Sequence, residues 1–194
     1  MRQIGAALLI YANDHDGDFP ETSHSTGVHF DRAWIFALKP YLAKCDLVRI
    51  CPADPRGTAR LQANGTSYIL NSHIFIPEIG PFGEAGASLG NVRRLPYPAS
   101  TMLAFNVSDQ QSPSVLNDHT HSELWPGNWR RVCQDIQPNR HRSGAASTDQ
   151  TNGSANYLFA DGHVQSIAAA EIRRLTDLGF AFAKPAMQPE DLTA

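Results

Sequence analysis

Two short apolar runs flanking Asp161-Gly162 constrain this chain more than any other feature. Ala155 to Ala160 and His163 to Ile167 both read as strands. An Asp-Gly pair between such runs is a strong hairpin signal, because both of its residues accept positive φ. The apolar side of a hairpin needs a cover, and the opposite end of the chain offers one. Residues 2–13 set Ile4, Leu8 and Tyr11, with Ala7 beside them, on one helical stripe. A helix of that kind laid on an antiparallel sheet predicts an α+β fold.

Further elements fit the same plan. Ser67 to Asn71 and Thr101 to Phe105 read as strands, and 168–179 as a closing helix with Ile172, Leu175 and Leu178 on one face. Residues 31–43 predict a helix capped by Asp31 and kinked or ended at Pro40. Residues 106–154 lack a clear period and are expected to form a long outward-facing loop with a polar insertion from Ser143 to Ser154. Residues 185–194 are expected to be a loose tail. No composition break divides 1–194 into two domains.

Composition narrows the function. Hydrophobic residues make up 42% of the 194, which excludes a disordered chain. Net charge is -3, and Lys/Arg clusters do not exceed pairs such as Arg130-Arg131, so nucleic acid is not an expected partner. No run approaches the about 20 apolar residues of a membrane span. The first helix has no capping signal before it and opens in full period at Met1, so its beginning is expected to lie outside this chain.

Several residue groups invite chemistry. His141, Asp161 and His163 are ligand types for a divalent ion, and a metal-dependent hydrolase would use the same three; their spacing matches no ligand template, and Asp161 is needed in the turn. Asp118-His119-Thr120-His121 puts two imidazoles on one side of an extended segment, with an exposed polar loop as the plainer reading. Asp14, Asp16 and Asp18 around Gly17 look like part of a calcium loop, although the Gly is misplaced and the closing Glu is absent; a helix stop explains them equally. Cys45 and Cys51 are close enough in sequence for a disulfide in an oxidising compartment, with Cys51–Cys133 or free buried thiols as alternatives. Trp125, Trp129 and Tyr97 would suit sugar stacking in an extracytoplasmic ligand-binding module. Ser143 and Ser166 follow His141 and His163, but neither lies on a Gly-x-Ser-x-Gly elbow. With no phosphate loop or dinucleotide fingerprint either, an enzyme is not expected, nor a cofactor beyond calcium.

Three pieces of sequence, in order, resemble one family. They are Met1 to Pro20; Cys51-Pro52-Ala53-Asp54-Pro55 followed by Ser67-Tyr68 and Asn71; and Arg140-His141 joined by Ala155 to Val164. Together they are similar to the type II secretion-like pseudopilins that carry a His…Asp-Gly motif near the C-terminus. The resemblance covers both ends and the Cys-Pro element but not 72–135. In the family the His lies closer to the Asp-Gly; here a polar insertion separates His141 from Asp161. Family members also begin with a basic leader and a long apolar helix, whereas this chain starts near the end of that helix. The resemblance implies a long N-terminal helix packed across an antiparallel sheet. It implies a structural subunit of a type II secretion or type IV pilus-like filament, with other pseudopilins and the secretion machinery as partners. Ile4, Leu8 and Tyr11 would carry assembly. The location would be periplasm or cell surface, with the membrane reached only through the missing N-terminal helix.

Overall fold

The computed structural model describes residues 1–26, 29–43, 45–77, 82, 89–142 and 148–185. In chain order the helices and strands are α1 (Arg2–Asp14), α2 (Ser23–Thr26), α3 (Trp34–Ala37), α4 (Gly57–Gln62), β1 (Tyr68–Leu70), α5 (Ser72–Phe75), β2 (Met102–Asn106), α6 (Trp129–Asp135), β3 (Ser154–Phe159), β4 (Val164–Ala168) and α7 (Ala169–Asp177). The architecture is α+β. Four antiparallel strands pair in the order β1-β2-β3-β4, with Ile69 opposite Phe105 and Tyr157 opposite Gln165. The register shifts between Met102 and Ala104.

The β3–β4 connection is one residue longer than the Asp-Gly pair alone implies. Phe159 N–H donates to His163 O at 3.0 Å and Gly162 N–H to Phe159 O at 2.9 Å. Of Asp161 and Gly162, only Gly162 takes positive φ, at 88°. That is a three-residue loop with glycine in the left-handed position, which matches the strand twist.

Side chains alternate along the strands, so the sheet has two apolar faces. Tyr68, Leu70, Leu103 and Leu158 meet Ile4, Ala7 and Leu8 of α1, together with Trp34, Ile35 and Leu38. Ile69, Phe105, Tyr157 and Phe159 point the other way, onto Trp125, Val132, Ile136 and Ile172. The N-terminal helix therefore covers one face, and α6 and α7 cover the other.

Two expectations need correction. The helix expected over 31–43 is interrupted next to Pro40, as that proline requires, but it does not start at Asp31. A 3-10 turn at Phe30–Arg32 precedes α3, and a second 3-10 turn spans Lys39–Leu42. Pro40 sits in the first turn of that last segment, where its missing N–H costs nothing. Asp31 does not cap α3: Ala33 occupies the cap position without a side-chain bond. Burial of Trp34, Ile35 and Leu38 holds the broken segment in place.

Residues 106–154 are not an outward loop either. Val107, Trp125, Val132 and Ile136 are all buried, and α6 is capped by Asn128, whose Oδ1 accepts the Arg131 N–H at 3.2 Å. Trp125, Trp129, Val132 and Ile136 follow helical spacing and supply the second core. Of the insertion expected from Ser143 to Ser154, residues 143–147 lie outside the described residues, as does the tail at 186–194. Among the described residues no helix is long and apolar enough to cross a membrane.

Candidate functional site

The residues proposed as a metal triad are dispersed. Asp161 Oδ1 accepts both the His163 backbone N–H (3.0 Å) and the His163 ring Nδ1–H (2.6 Å), and that ring stacks on Phe159. Both side chains serve the turn. His141 pairs with Ser154 at the far end of β3, seven residues from Asp161, or about 20 Å along a strand. Burial, helped by the Arg140 charge, lowers the His141 pKa. Its neutral Nε2 accepts from Asn156 Nδ2 at 3.2 Å.

Two of the three aspartate carboxylates around the end of α1 are in hydrogen bonds. Asp14 accepts from Tyr41 Oη at 3.2 Å, and Asp18 Oδ1 accepts from Asn91 Nδ2 at 2.7 Å. The Asp16 carbonyl receives the same amide at 3.1 Å. Gly17 has φ 95° because the chain reverses there. These contacts make a helix stop.

Other assignments also change. Cys45, Cys51 and Cys133 are all free thiols; only Cys45 is exposed. Trp125 is 1% exposed, donates Nε1–H to Asp135 at 2.9 Å and stacks on Phe182, so it presents no ring face for a sugar. Trp129 lies half-buried under Arg173 with its Nε1–H on Asp149 O. Tyr97 is half-buried beside the start of β2. In α1, Ile4 and Leu8 are spent on the protein's own core, Tyr11 is half-buried against it, and Ile10 faces outward, 51% exposed.

A buried ionic node joins the Cys-Pro element to Arg140. Asp54 Oδ2 accepts Ser67 Oγ–H at 2.6 Å and Arg60 Nε–H at 3.0 Å, and Oδ1 accepts the Arg56 N–H at 2.9 Å. Arg140 Nη1 stands 3.8 Å from Asp54 Oδ1 while bonding Asp109 at 2.6 Å. Burial alone would raise the Asp54 pKa; the Ser67 hydroxyl, the Arg56 amide and the Arg140 and Arg60 charges outweigh it and hold it below the ordinary value. Asn71, also fully buried, donates Nδ2–H to Met102 O at 2.7 Å and to Ala183 O at 2.6 Å. Arg60 is the member that sequence reasoning missed, since nothing in its spacing marks it as buried.

A different group opens to solvent. Residues 118–120 add a parallel edge to β1: Leu70 N–H bonds Asp118 O at 2.9 Å, and Thr120 N–H bonds Leu70 O at 2.8 Å. The extended backbone turns Asp118 and Thr120 inward, both fully buried, and leaves His119 and His121 facing a cleft of about 290 Å³. His24 from α2 and His73 from α5 line it too. The Asp118-His119-Thr120-His121 alternation was visible in the sequence; His24 and His73 reach the cleft only through the fold. Asp118 ties α2 down, accepting Ser23 N–H and Oγ–H, each at 2.7 Å. It also meets His119 Nδ1 at 2.9 Å. Nearby, Ser72, Thr120 and Ser122 share hydroxyl bonds, and Ser72 Oγ–H donates to Glu123 at 3.1 Å. Among the described residues no three His, Cys, Asp or Glu side chains are already arranged to hold a metal ion.

No family model, curated protein or solved structure matches this chain.

Proposed function

We propose that the chain is the globular part of a pseudopilin-like filament subunit, a packing module and not an enzyme. One observation carries this reading. The three sequence pieces that resemble the family meet in two structural joints. The α1 piece meets the Asp-Gly piece at Gly5 and Gly162, and the Cys-Pro piece meets the Arg-His piece through Asp54 and Arg140. Residues with that much structural work are what a scaffold requires, and they leave no nucleophile–base pair among them. A helix seated on an antiparallel sheet is also the plan the resemblance implies.

In this reading α1 continues N-terminally into an apolar segment that anchors the subunit before assembly. The inner stripe of Ile4 and Leu8 holds the domain together. Contacts with other subunits come from that continuation and from the outer face around Ile10. The protein would act in the periplasm or at the cell surface.

The test is mass spectrometry of the native N-terminal peptide from membranes and medium of the source cells. A methylated residue heading a long apolar segment upstream of Met1 is the expected result. A native chain that begins at Met1 and stays in the cytosol would overturn the reading.

A further inference from the structure

The histidine cleft lies apart from both joints and has no part in the packing role. Its two central imidazoles each stand beside a buried carboxylate. Asp118 Oδ1 is 2.9 Å from His119 Nδ1. Asp135 Oδ1 is 3.8 Å from His121 Nδ1, while Asp135 Oδ2 receives the His121 backbone N–H at 2.9 Å. A carboxylate only accepts, so Nδ1 of His119 carries the hydrogen and Nε2 is the ring nitrogen that a metal would take. For His119 this is the outer-shell arrangement that orients metal-ligating histidines and raises their basicity, whereas Asp135 fixes the His121 backbone and stands beyond hydrogen-bond reach of its ring.

Ring spacing points the same way. The centroids of His24 and His119 are 5.6 Å apart, and those of His119 and His121 are 5.5 Å apart. Two imidazoles bound to one ion through nitrogens at about 2.0–2.1 Å hold their centroids roughly 5–5.5 Å apart. The separations therefore suit shared ligation. Binding would require the rings to turn about χ2 until their nitrogens converge, with His24 on the short surface helix α2 as an exposed, adjustable member.

We propose that this cleft binds one borderline divalent transition-metal ion, zinc being the probe of choice, with His119, oriented by Asp118, and His121, on backbone held by Asp135, as ligands and His24 completing the set. Imidazole nitrogens select zinc, nickel or copper(II) over calcium and magnesium, which prefer oxygen. The inference is independent of the filament reading.

The experiment is isothermal titration of the tag-free full chain with ZnCl2. One equivalent should bind. His24→Ala, an exposed change that leaves the core untouched, and the double variant H119A/H121A should each weaken binding at least tenfold. Asp118→Asn should weaken it about 10- to 100-fold, the size of effect that an outer-shell partner exerts. Zinc should raise the melting temperature of the wild type and not of H119A/H121A. If the double variant does not fold, the His24→Ala and His121→Gln titrations decide. Absence of stoichiometric binding to the wild type overturns the proposal. So does binding unchanged in the cleft variants, or binding abolished instead by His163→Ala.

Discussion

Gly5 of α1 packs against Gly162 of the β3–β4 turn. A Cβ at Gly5 would stand 2.6 Å from Leu158 Cδ1 and 3.3 Å from the Gly162 carbonyl oxygen. A Cβ at Gly162, where φ is 88°, would meet Leu9 Cδ1 at 2.9 Å. The helix lies this close to the hairpin because neither residue has a side chain at the crossing.

Gly5→Val should therefore destabilise the fold despite the better helix propensity of valine. Leu158 is fully buried and has little room to move, and overpacking of this kind costs about 1–3 kcal/mol. Urea unfolding measures it. Combining Gly5→Val with Leu158→Ala should cost less than the sum of the single changes, because the second removes the atom the first strikes. An unchanged midpoint for Gly5→Val would mean that α1 does not sit on the turn.

Asp54 pairs with Arg60 at 3.0 Å and stands 3.8 Å from Arg140, which has Asp109 as its closer partner; both arginine side chains are 1% exposed. Asp54→Ala leaves buried positive charge without its partner, a change that costs about 3–5 kcal/mol. The pH dependence has a definite sign. The Asp54 pKa is held below its unfolded value, so its contribution is fully present above the ordinary carboxylate range and is lost as pH falls through the folded value. Acid unfolding of the wild type should show this loss, and Asp54→Asn should flatten that part of the curve. Equal acid sensitivity in both proteins would remove Asp54 from the account.

The hairpin, α1 and α7 were legible because each is a local pattern: an Asp-Gly punctuated alternation, or apolar residues three and four apart. In 31–43 the interruption next to Pro40 was legible, but the start was not, since α3 begins at the buried Trp34 and without the Asp31 cap. The 106–154 segment was misread because α6 is only seven residues long and its apolar positions are diluted by Arg130, Arg131 and Gln134. The cleft was half legible. Alternation in 118–121 set two imidazoles on one side, but only the pairing of that segment with β1 brings His24 and His73 beside them. The Asp54 node is non-local and has no period to read.

The thiols discriminate the fold from the disulfide alternatives. Cys45 is exposed, whereas Cys51 and Cys133 are buried, and burial pushes the Cys133 thiol up to about 12. A thiol reagent at neutral pH should label Cys45 quickly in the folded protein and the other two only after denaturant is added, since the thiolate is the reactive form. A Cys45–Cys51 bridge would instead leave a single reactive thiol, Cys133, seen only on unfolding.

Trp125 is a core residue, and its energetics separate that role from sugar stacking. Its ring meets Phe105 edge-on at 5.4 Å and Phe182 at 5.3 Å, and its Nε1–H satisfies Asp135. Trp125→Phe keeps most of the apolar contact and withdraws one donor from a buried carboxylate, a loss of about 1–3 kcal/mol. Trp125→Ala removes the ring as well and should cost about 3–5 kcal/mol. Asp135 also holds the His121 backbone, so Trp125→Phe should loosen the cleft edge and weaken zinc binding slightly while leaving most of the fold intact. Calorimetric melting of both variants checks the order. A Trp125→Ala protein as stable as the wild type would show that the ring lies outside the core.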